Sequence, residues 1–157
     1  MKHTLIALVL TLGAALPAIA ETLACPDPAT AVQVATCPSE EELKYTYTGY
    51  CSDNARMYGK DKDTCASYEN YRKLKNTALW ESKDGAFHAY ISCDLPVDTL
   101  KKLKAVSIAA TRQGKLTRLA CSYPEGITFA HRTRAECKVR GDGNCAAGPA
   151  ACQADCN

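Results

Sequence analysis

The stretch ALWESKDGAFHAYISCD, residues 78–94, contains the clearest strand pattern in the chain. Apolar and polar side chains alternate on both sides of Asp84-Gly85, a dipeptide that is favoured in tight turns between antiparallel strands. In the second half, every other residue faces the expected core: Phe87, Ala89, Ile91 and Cys93. The sequence therefore predicts a β-hairpin formed by residues 78–83 and 86–94.

Downstream segments extend this hairpin into a sheet. Residues 104–112, 115–123 and 127–139 have strand-like patterns, and they are separated by Gln113-Gly114 and Pro124-Glu125-Gly126. Each separator contains the glycine that a tight turn between strands needs. We therefore expect an antiparallel meander to follow the hairpin.

Two short helices are also expected. One begins at Asp98, its cap, and the other covers residues 63–76, where Asp63 or Thr64 is the cap. The first of these should contact the core through Leu100. The expected fold class is therefore α+β: a small, disulfide-rich single domain on an antiparallel β-sheet with one or two short helices.

The two ends of the mature chain are expected to be less regular. Residues 21–42 contain three prolines and predict an irregular arm. The alternation in LKYTYTGY, residues 43–50, predicts a strand, and the polar residues 51–63 predict a surface loop. Residues 141–157 contain little apolar bulk and three cysteines, so we expect a tail held only by disulfides to a domain of residues 21–140.

The chain contains ten cysteines: Cys25, Cys37, Cys51, Cys65, Cys93, Cys121, Cys137, Cys145, Cys152 and Cys156. An even number in an exported chain predicts a framework of structural disulfides. No Cys-x-x-Cys motif occurs, which argues against a thioredoxin-like redox centre or a zinc ribbon. The pairing stays open, since ten cysteines allow about 945 connectivities. We expect the cysteines in strands to lock the sheet, and Cys25 and Cys37 to pin the arm.

Residues 1–20 have the pattern of a cleavable export signal. A basic start precedes the apolar run 5–16, and Ala18-Ile19-Ala20 has the small-x-small pattern of a signal peptidase site. The mature protein is expected to begin at Glu21, to lie in the periplasm and to contain no transmembrane segment. Leu23-Ala24-Cys25 resembles part of a lipobox. The site lacks the usual apolar residue before it, however, and lipidation would leave an odd number of thiols, which argues against a lipoprotein.

Charge is distributed unevenly along the mature chain. Residues 101–140 contain ten basic residues and only two acidic ones. Residues 21–100 contain eight basic and thirteen acidic residues. The basic segment is a candidate docking surface for an anionic partner. The alternative, which we favour from the sequence, is that these side chains solvate the outer face of a sheet and protect its edge. Nucleic acid is not expected as a partner in this compartment.

Tyrosines in the first half of the chain add to this candidate surface, because tyrosine is enriched at protein interfaces. Core packing is the alternative use of these rings. The candidate interaction surface combines the tyrosines with basic residues of the meander: Tyr45, Tyr47, Tyr50, Arg112, Lys115, Arg118, Arg132 and Arg134.

The sequence contains no recognisable catalytic arrangement. The mature chain has two histidines, His88 and His131, and neither has a nucleophile or carboxylate that the sequence places within reach. His88 with Asp94 or Ser92 would be a fragment of a hydrolytic site, but no Gly-x-Ser-x-Gly motif accompanies it. Residues 141–144, Gly-Asp-Gly-Asn, resemble part of a calcium loop but lack the other ligands of an EF-hand. We therefore predict a non-enzymatic protein without a metal or cofactor.

Two stretches carry a resemblance to a known family. CPSEEELKYTYTGYCSDN, residues 37–54, and RKLKNTALWESKDGAFHAYISCDLP, residues 72–96, resemble the small periplasmic type IV secretion-associated EirA proteins of intracellular gammaproteobacteria. The resemblance covers residues 36–125. It implies a non-enzymatic virulence protein needed for effector translocation and intracellular replication in a host, with no active-site residues to carry over.

Three functions stay open from the sequence. The first is an accessory protein that acts through contacts with an envelope protein, a secretion-system component or a second copy of itself. The second is a secreted inhibitor of a lysozyme or protease, which would present residues 52–64 between Cys51 and Cys65. The third, and the least favoured, is a small hydrolase that uses His88.

Overall fold

Two antiparallel sheets and a group of short helices make up the structure, which confirms the expected α+β class. The computed structural model describes residues 21–157, and the export signal predicted for residues 1–20 lies outside the described residues. The nine strands of residues 21–157 are β1 (Glu21–Ala24), β2 (Val32–Gln33), β3 (Thr77–Glu81), β4 (His88–Ser92), β5 (Ser107–Gln113), β6 (Leu116–Ser122), β7 (Thr128–Thr133), β8 (Cys137–Val139) and β9 (Gln153–Cys156). The five α-helices of the same residues are α1 (Glu40–Cys51), α2 (Asn54–Met57), α3 (Lys62–Cys65), α4 (Tyr68–Lys75) and α5 (Val97–Leu100). None of these five helices is long and apolar enough to cross a membrane.

The larger sheet has six strands in the order β2-β3-β4-β7-β6-β5. It confirms the predicted hairpin, since β3 and β4 pair from Thr77–Ser92 to Glu81–His88. The turn between them is closed by Asp84, whose carboxylate accepts hydrogen bonds from the Ser82 hydroxyl and the Ala86 backbone N–H. These bonds lower the pKa of Asp84, the bond from Ser82 having the largest effect. The turn is therefore held by its own side chains.

The meander also forms, but its last predicted strand is divided. β5, β6 and β7 pair as expected around Gly114 and the Pro124–Gly126 turn. The expected strand of residues 127–139 breaks after Thr133, where the Thr133 hydroxyl accepts a hydrogen bond from Ala135 N and the Thr117 hydroxyl donates one to Ala135 O. β8 then joins the second sheet rather than the first.

The second sheet contains both ends of the described chain, in the order β1-β9-β8. Residues 21–42 were expected to be irregular, but they include the strands β1 and β2. Residues 141–157 were expected to be a tail held only by disulfides, but they contain β9, the central strand of this sheet. β9 follows a period of two in which Ala154 and Cys156 face the core while Asp155 faces outward. Asp155 accepts two hydrogen bonds from Arg140 and one from Thr22, which ties together the three strands of this sheet.

The main core lies between the two sheets. Its most deeply buried side chains come from the larger sheet and its connections: Phe87, Leu100, Leu119, Cys121 and Phe129. The smaller sheet adds Leu23, Ala154 and Cys156 to the same cluster. The smaller sheet thus covers one face of the larger one.

The helices α1–α4 form a second, smaller cluster between β2 and β3 in the sequence, where a strand and a surface loop were expected. The strand predicted for residues 43–50 is wrong because Ser39 and Glu42 form a capping box that starts α1. Leu43, Tyr47 and Tyr50 then lie on one helical face and pack against the helical cluster. Residues 51–63 are likewise not a simple loop, since they contain the end of α1, all of α2 and the start of α3.

The two predicted helices are present with different caps. The expected helix of residues 63–76 is interrupted, because Ser67 accepts a hydrogen bond from Asn70 N and starts α4. In α5 the cap residue is Pro96 rather than Asp98, although Leu100 is buried as expected. The helices thus number five rather than one or two.

All ten cysteines are paired, which confirms the expected disulfide framework. Two bonds join the N-terminal segment to the larger sheet, one joins α1 to α3, one joins β8 to β9, and one closes a short loop before β9: Cys25–Cys121, Cys37–Cys93, Cys51–Cys65, Cys137–Cys156 and Cys145–Cys152. The bonds of Cys25 and Cys37 therefore pin the arm to the larger sheet, as expected, whereas Cys137 locks the smaller sheet.

Candidate interaction surface on the outer face of the larger sheet

One face of the larger sheet is covered by the core, and the opposite face is open over β4, β5, β6 and β7. We call this open side the outer face. Its side chains on these four strands are His88, Tyr90, Ser92, Ser107, Ala109, Thr111, Gln113, Leu116, Arg118, Ala120, Ser122, Thr128, Ala130 and Arg132. None of them belongs to the core cluster, and Tyr90 is 72% exposed. The outer face is therefore a flat surface that is accessible to a partner.

Two arginines stand side by side on the outer face. Arg118 of β6 and Arg132 of β7 are directly opposite in the strand register. Neither forms an ion pair with any group of residues 21–157. Like charges at opposite positions of an antiparallel pair destabilise a sheet. An anion placed between the two guanidinium groups would remove that repulsion.

His88 extends this basic pair onto β4. Its Nε2 lies 3.1 Å from a guanidinium nitrogen of Arg132. A guanidinium can only donate hydrogen bonds, so Nε2 of His88 is the acceptor in this contact. The bond holds Arg132 towards β4, and the Arg118 side chain has no hydrogen bond or ion pair within residues 21–157.

A row of alanines forms the floor beside the arginines. Ala109, Ala120 and Ala130 are paired across β5, β6 and β7, and His88 continues the row on β4. These short side chains leave the sheet flat next to the long arginine side chains. Ala130 is buried, whereas Ala109 is exposed and Ala120 half-buried, so the outer face can accept an extended chain that lies on Ala109 and Ala120 and reaches the arginines.

The other predicted basic residues do not join the outer face. Arg112 forms an ion pair with Glu136 on the opposite side of β5. Lys115 lies in the turn between β5 and β6, and Arg134 lies just beyond β7; both are exposed. The structure therefore brings together only Arg118 and Arg132 of the five predicted basic residues.

The three tyrosines predicted to belong to the interaction surface lie on α1, not on the outer face with the arginines. Tyr45 is exposed, whereas Tyr47 and Tyr50 are half-buried and have ring centroids 5.4 Å and 5.6 Å from that of Tyr71. The Tyr50 hydroxyl donates a hydrogen bond to Asp61, which raises the pKa of Tyr50. Packing in the cluster is thus the main role of two of the three tyrosines.

The groups suggested for a hydrolytic site do not assemble around His88. Asp94 is bound by Arg72 through two hydrogen bonds of 2.8 Å and 2.9 Å, which lower the pKa of Asp94. The Ser92 hydroxyl accepts a hydrogen bond from Asp94 N. His131 faces the core side, where its Nδ1 lies 2.7 Å from Ala86 O. In the described part of the chain, neither histidine is hydrogen-bonded to a serine, threonine or cysteine side chain.

The segment that resembles a calcium loop is a turn fixed to β5. The side-chain oxygens of Asp142 and Asn144 accept hydrogen bonds from nearby backbone N–H groups. Gly143 is buried, and its carbonyl accepts a hydrogen bond from Ile108 N. The oxygens of this segment therefore close the turn.

Comparison with known proteins does not identify a relative. No protein-family model, no curated protein and no solved structure matches the chain. The resemblance of residues 36–125 to EirA proteins therefore stays a hypothesis.

Proposed function

We propose that this protein is an exported, disulfide-stapled binding protein that holds an acidic, extended segment of a partner protein on its outer face. The observation that carries the proposal is the pair Arg118 and Arg132, placed opposite each other without a carboxylate partner in residues 21–157. Guanidinium groups bind carboxylates through paired hydrogen bonds, and an arginine pair suits two neighbouring acidic side chains.

Charge complementarity favours an acidic partner over a neutral one. Residues 101–140 carry a formal charge of +8 from ten basic and two acidic residues, and they include both strands that bear the arginine pair. A field of this sign accelerates encounter with an anionic segment. Because the charge is positive, we propose an acidic peptide segment as the ligand.

The disulfides support the proposal by keeping the surface rigid. Cys121, three positions after Arg118 on β6, is fully buried and bonded to Cys25 of the N-terminal segment. A surface that is already ordered loses less conformational entropy when it binds. Export to the periplasm, where disulfides are stable, is the location that we propose for this binding.

A synthetic peptide of alternating Glu and Thr, labelled with a fluorophore, tests the binding proposal. We expect saturable binding by fluorescence anisotropy that weakens as salt is raised from about 50 mM to about 300 mM. The double substitution Arg118→Glu and Arg132→Glu should weaken binding at least about tenfold, which corresponds to about 1.4 kcal/mol.

The matched control is Lys101→Glu with Lys102→Glu, which changes the net charge equally at two exposed positions away from the outer face. We expect this control to retain binding within about threefold, since exposed charges act weakly at a distance in salt. Equal losses in both double variants would refute a defined site on the outer face. The result would then reflect net charge alone.

The cellular role that we propose for this binding is support of type IV secretion, as the resemblance to EirA proteins implies. The test is effector translocation into host cells by a deletion strain. Translocation should fall without the gene and return with the wild-type copy but not with the Arg118→Glu, Arg132→Glu copy. Normal translocation in the deletion strain would exclude this role, whatever the peptide measurement shows.

A further inference from the structure

Two disulfides meet at one point of the molecule. The Sγ atoms of Cys25, Cys145 and Cys152 all lie within 4.8 Å of one another, although Cys25 is bonded to Cys121 and the other two are bonded to each other. Disulfide sulfurs are poor metal ligands, because metal binding requires the thiolate. The arrangement instead places a third sulfur within reach of each disulfide.

An open cavity of about 250 Å³ leads to these three sulfurs. Cys25 is half-buried in its wall, whereas its partner Cys121 is fully buried. Lys104, also in the wall, is an exposed cation paired with Asp27 at 3.4 Å. Cys145 and Cys152 are buried but also line the cavity. The cavity therefore gives a small molecule access to three neighbouring sulfurs.

We propose that this cavity is a thiol–disulfide exchange site, at which a small external thiol opens Cys145–Cys152 and the released thiolate then attacks Cys25. The external thiolate forms a mixed disulfide with one sulfur of the Cys145–Cys152 pair, and the other sulfur leaves as a thiolate. This thiolate bonds to Sγ of Cys25. The Cys25–Cys121 bond breaks, and its electron pair leaves on Sγ of Cys121, which takes up a proton. Each bond formed replaces a bond broken, so no oxidant is needed.

Attack falls on Cys25 because Cys25 lines the cavity, as Cys145 and Cys152 do, whereas Cys121 does not. Cys121 is fully buried in β6, and a nucleophile in the cavity cannot reach it. The product carries a bridge between Cys25 and the loop before β9, and a buried thiol at Cys121. The exchange thus moves the attachment of β1 from β6 to that loop and releases β6 from the N-terminal segment.

The variant Cys145→Ser isolates the second step, because it leaves Cys152 as a single thiol. After incubation at about pH 8, where the thiolate fraction is appreciable, free thiols are blocked in denaturant and the disulfides are mapped by mass spectrometry. We expect a Cys25–Cys152 bridge and a blocked Cys121. An intact Cys25–Cys121 bridge with Cys152 alone blocked would overturn the proposal.

The control variant Cys65→Ser leaves Cys51 as a single thiol in the helical cluster. Within residues 21–157 Cys51 belongs to no group of three neighbouring sulfurs, so we expect Cys51 alone to be blocked. A second measurement uses the folded wild-type protein with reduced glutathione and does not depend on the folding of a variant. We expect bridges from Cys25 to Cys145 or Cys152 in this sample. Opening of Cys145–Cys152 without any such bridge would overturn the proposal.

Discussion

The Cys37–Cys93 disulfide should stabilise the protein far more than its surroundings suggest. Cys37 is exposed and Cys93 is half-buried, so the contacts of the two side chains account for little stability. The bond closes a loop of 56 residues that contains α1–α4, β3 and β4. In the chain-entropy description, closing a loop of this length destabilises the unfolded chain by about 4 kcal/mol.

The perturbation is the double substitution Cys37→Ala, Cys93→Ala, which removes the bond without leaving a free thiol. Urea unfolding followed by the fluorescence of the buried Trp80 measures the free energy of unfolding. We expect a loss of about 4 kcal/mol, or a variant that is already unfolded in buffer.

Val34→Ala is the matched control, because Val34 is a half-exposed apolar residue close to Cys37 in the same segment. Its truncation removes a comparable amount of surface contact but no cross-link, and we expect a loss below about 1 kcal/mol. A loss of similar size in both variants would refute the entropic account of this disulfide. The bond would then act only through local contacts.

Three further outcomes follow from the structure. Arg118→Thr should raise the free energy of unfolding by about 0.2–1 kcal/mol, because it removes a like-charge pair, while weakening peptide binding; a loss of stability in urea would contradict this account. The pair with Arg140 lowers the pKa of Asp155 from 3.8 to about 2, so its contribution is present above about pH 4 and lost as the pH falls towards 2. Arg140→Gln should therefore flatten the decline of the urea midpoint over that range, and an unchanged decline would exclude the pair as its cause. Gly143→Ala should lower stability more than Gly114→Ala does. Both glycines have positive φ, but only at Gly143 would the new Cβ meet a backbone oxygen of β5. Equal thermal midpoints for the two variants would contradict this prediction.

The hairpin and the meander could be predicted because their signals are local. Alternation and a glycine-containing turn fall within a few residues of each other, as at Gly85 and Gly114, and they determine both strand and register. The opposition of Arg118 and Arg132 follows from the same kind of signal, since the two residues are equally far from Glu125 in the predicted turn. A prediction of register from that turn could have found the pair.

The helical cluster was missed because two local signals conflict. In residues 43–50 the tyrosines and threonines favour a strand, but Ser39 and Glu42 form a capping box and the acidic first turn favours a helix. Tertiary packing settles the conflict, since Leu43 and Tyr47 can contact the helical cluster only from one helical face. The capping box was the signal that could have identified α1.

The remaining features depend on contacts between distant parts of the chain. β9 has small side chains and becomes a strand because β1 and β8 pair with it on both sides. The disulfide pairing and the identity of the uncovered face depend in turn on where this smaller sheet packs. Neither can be predicted from a short stretch of sequence, because the paired cysteines and paired strands can lie almost the whole described chain apart.

The pairing of β1 with β9 has a consequence for how the protein is made. Glu21 lies opposite Cys156, so the smaller sheet cannot form until nearly all of the described chain has been synthesised. Contacts between such distant segments form slowly, because a long loop must close first. Until β9 arrives, Leu23 and the core side of β5 and β6 stay exposed to water. The newly made chain thus passes through a stage at which this apolar surface is open to water, and at that stage it is more prone to aggregation.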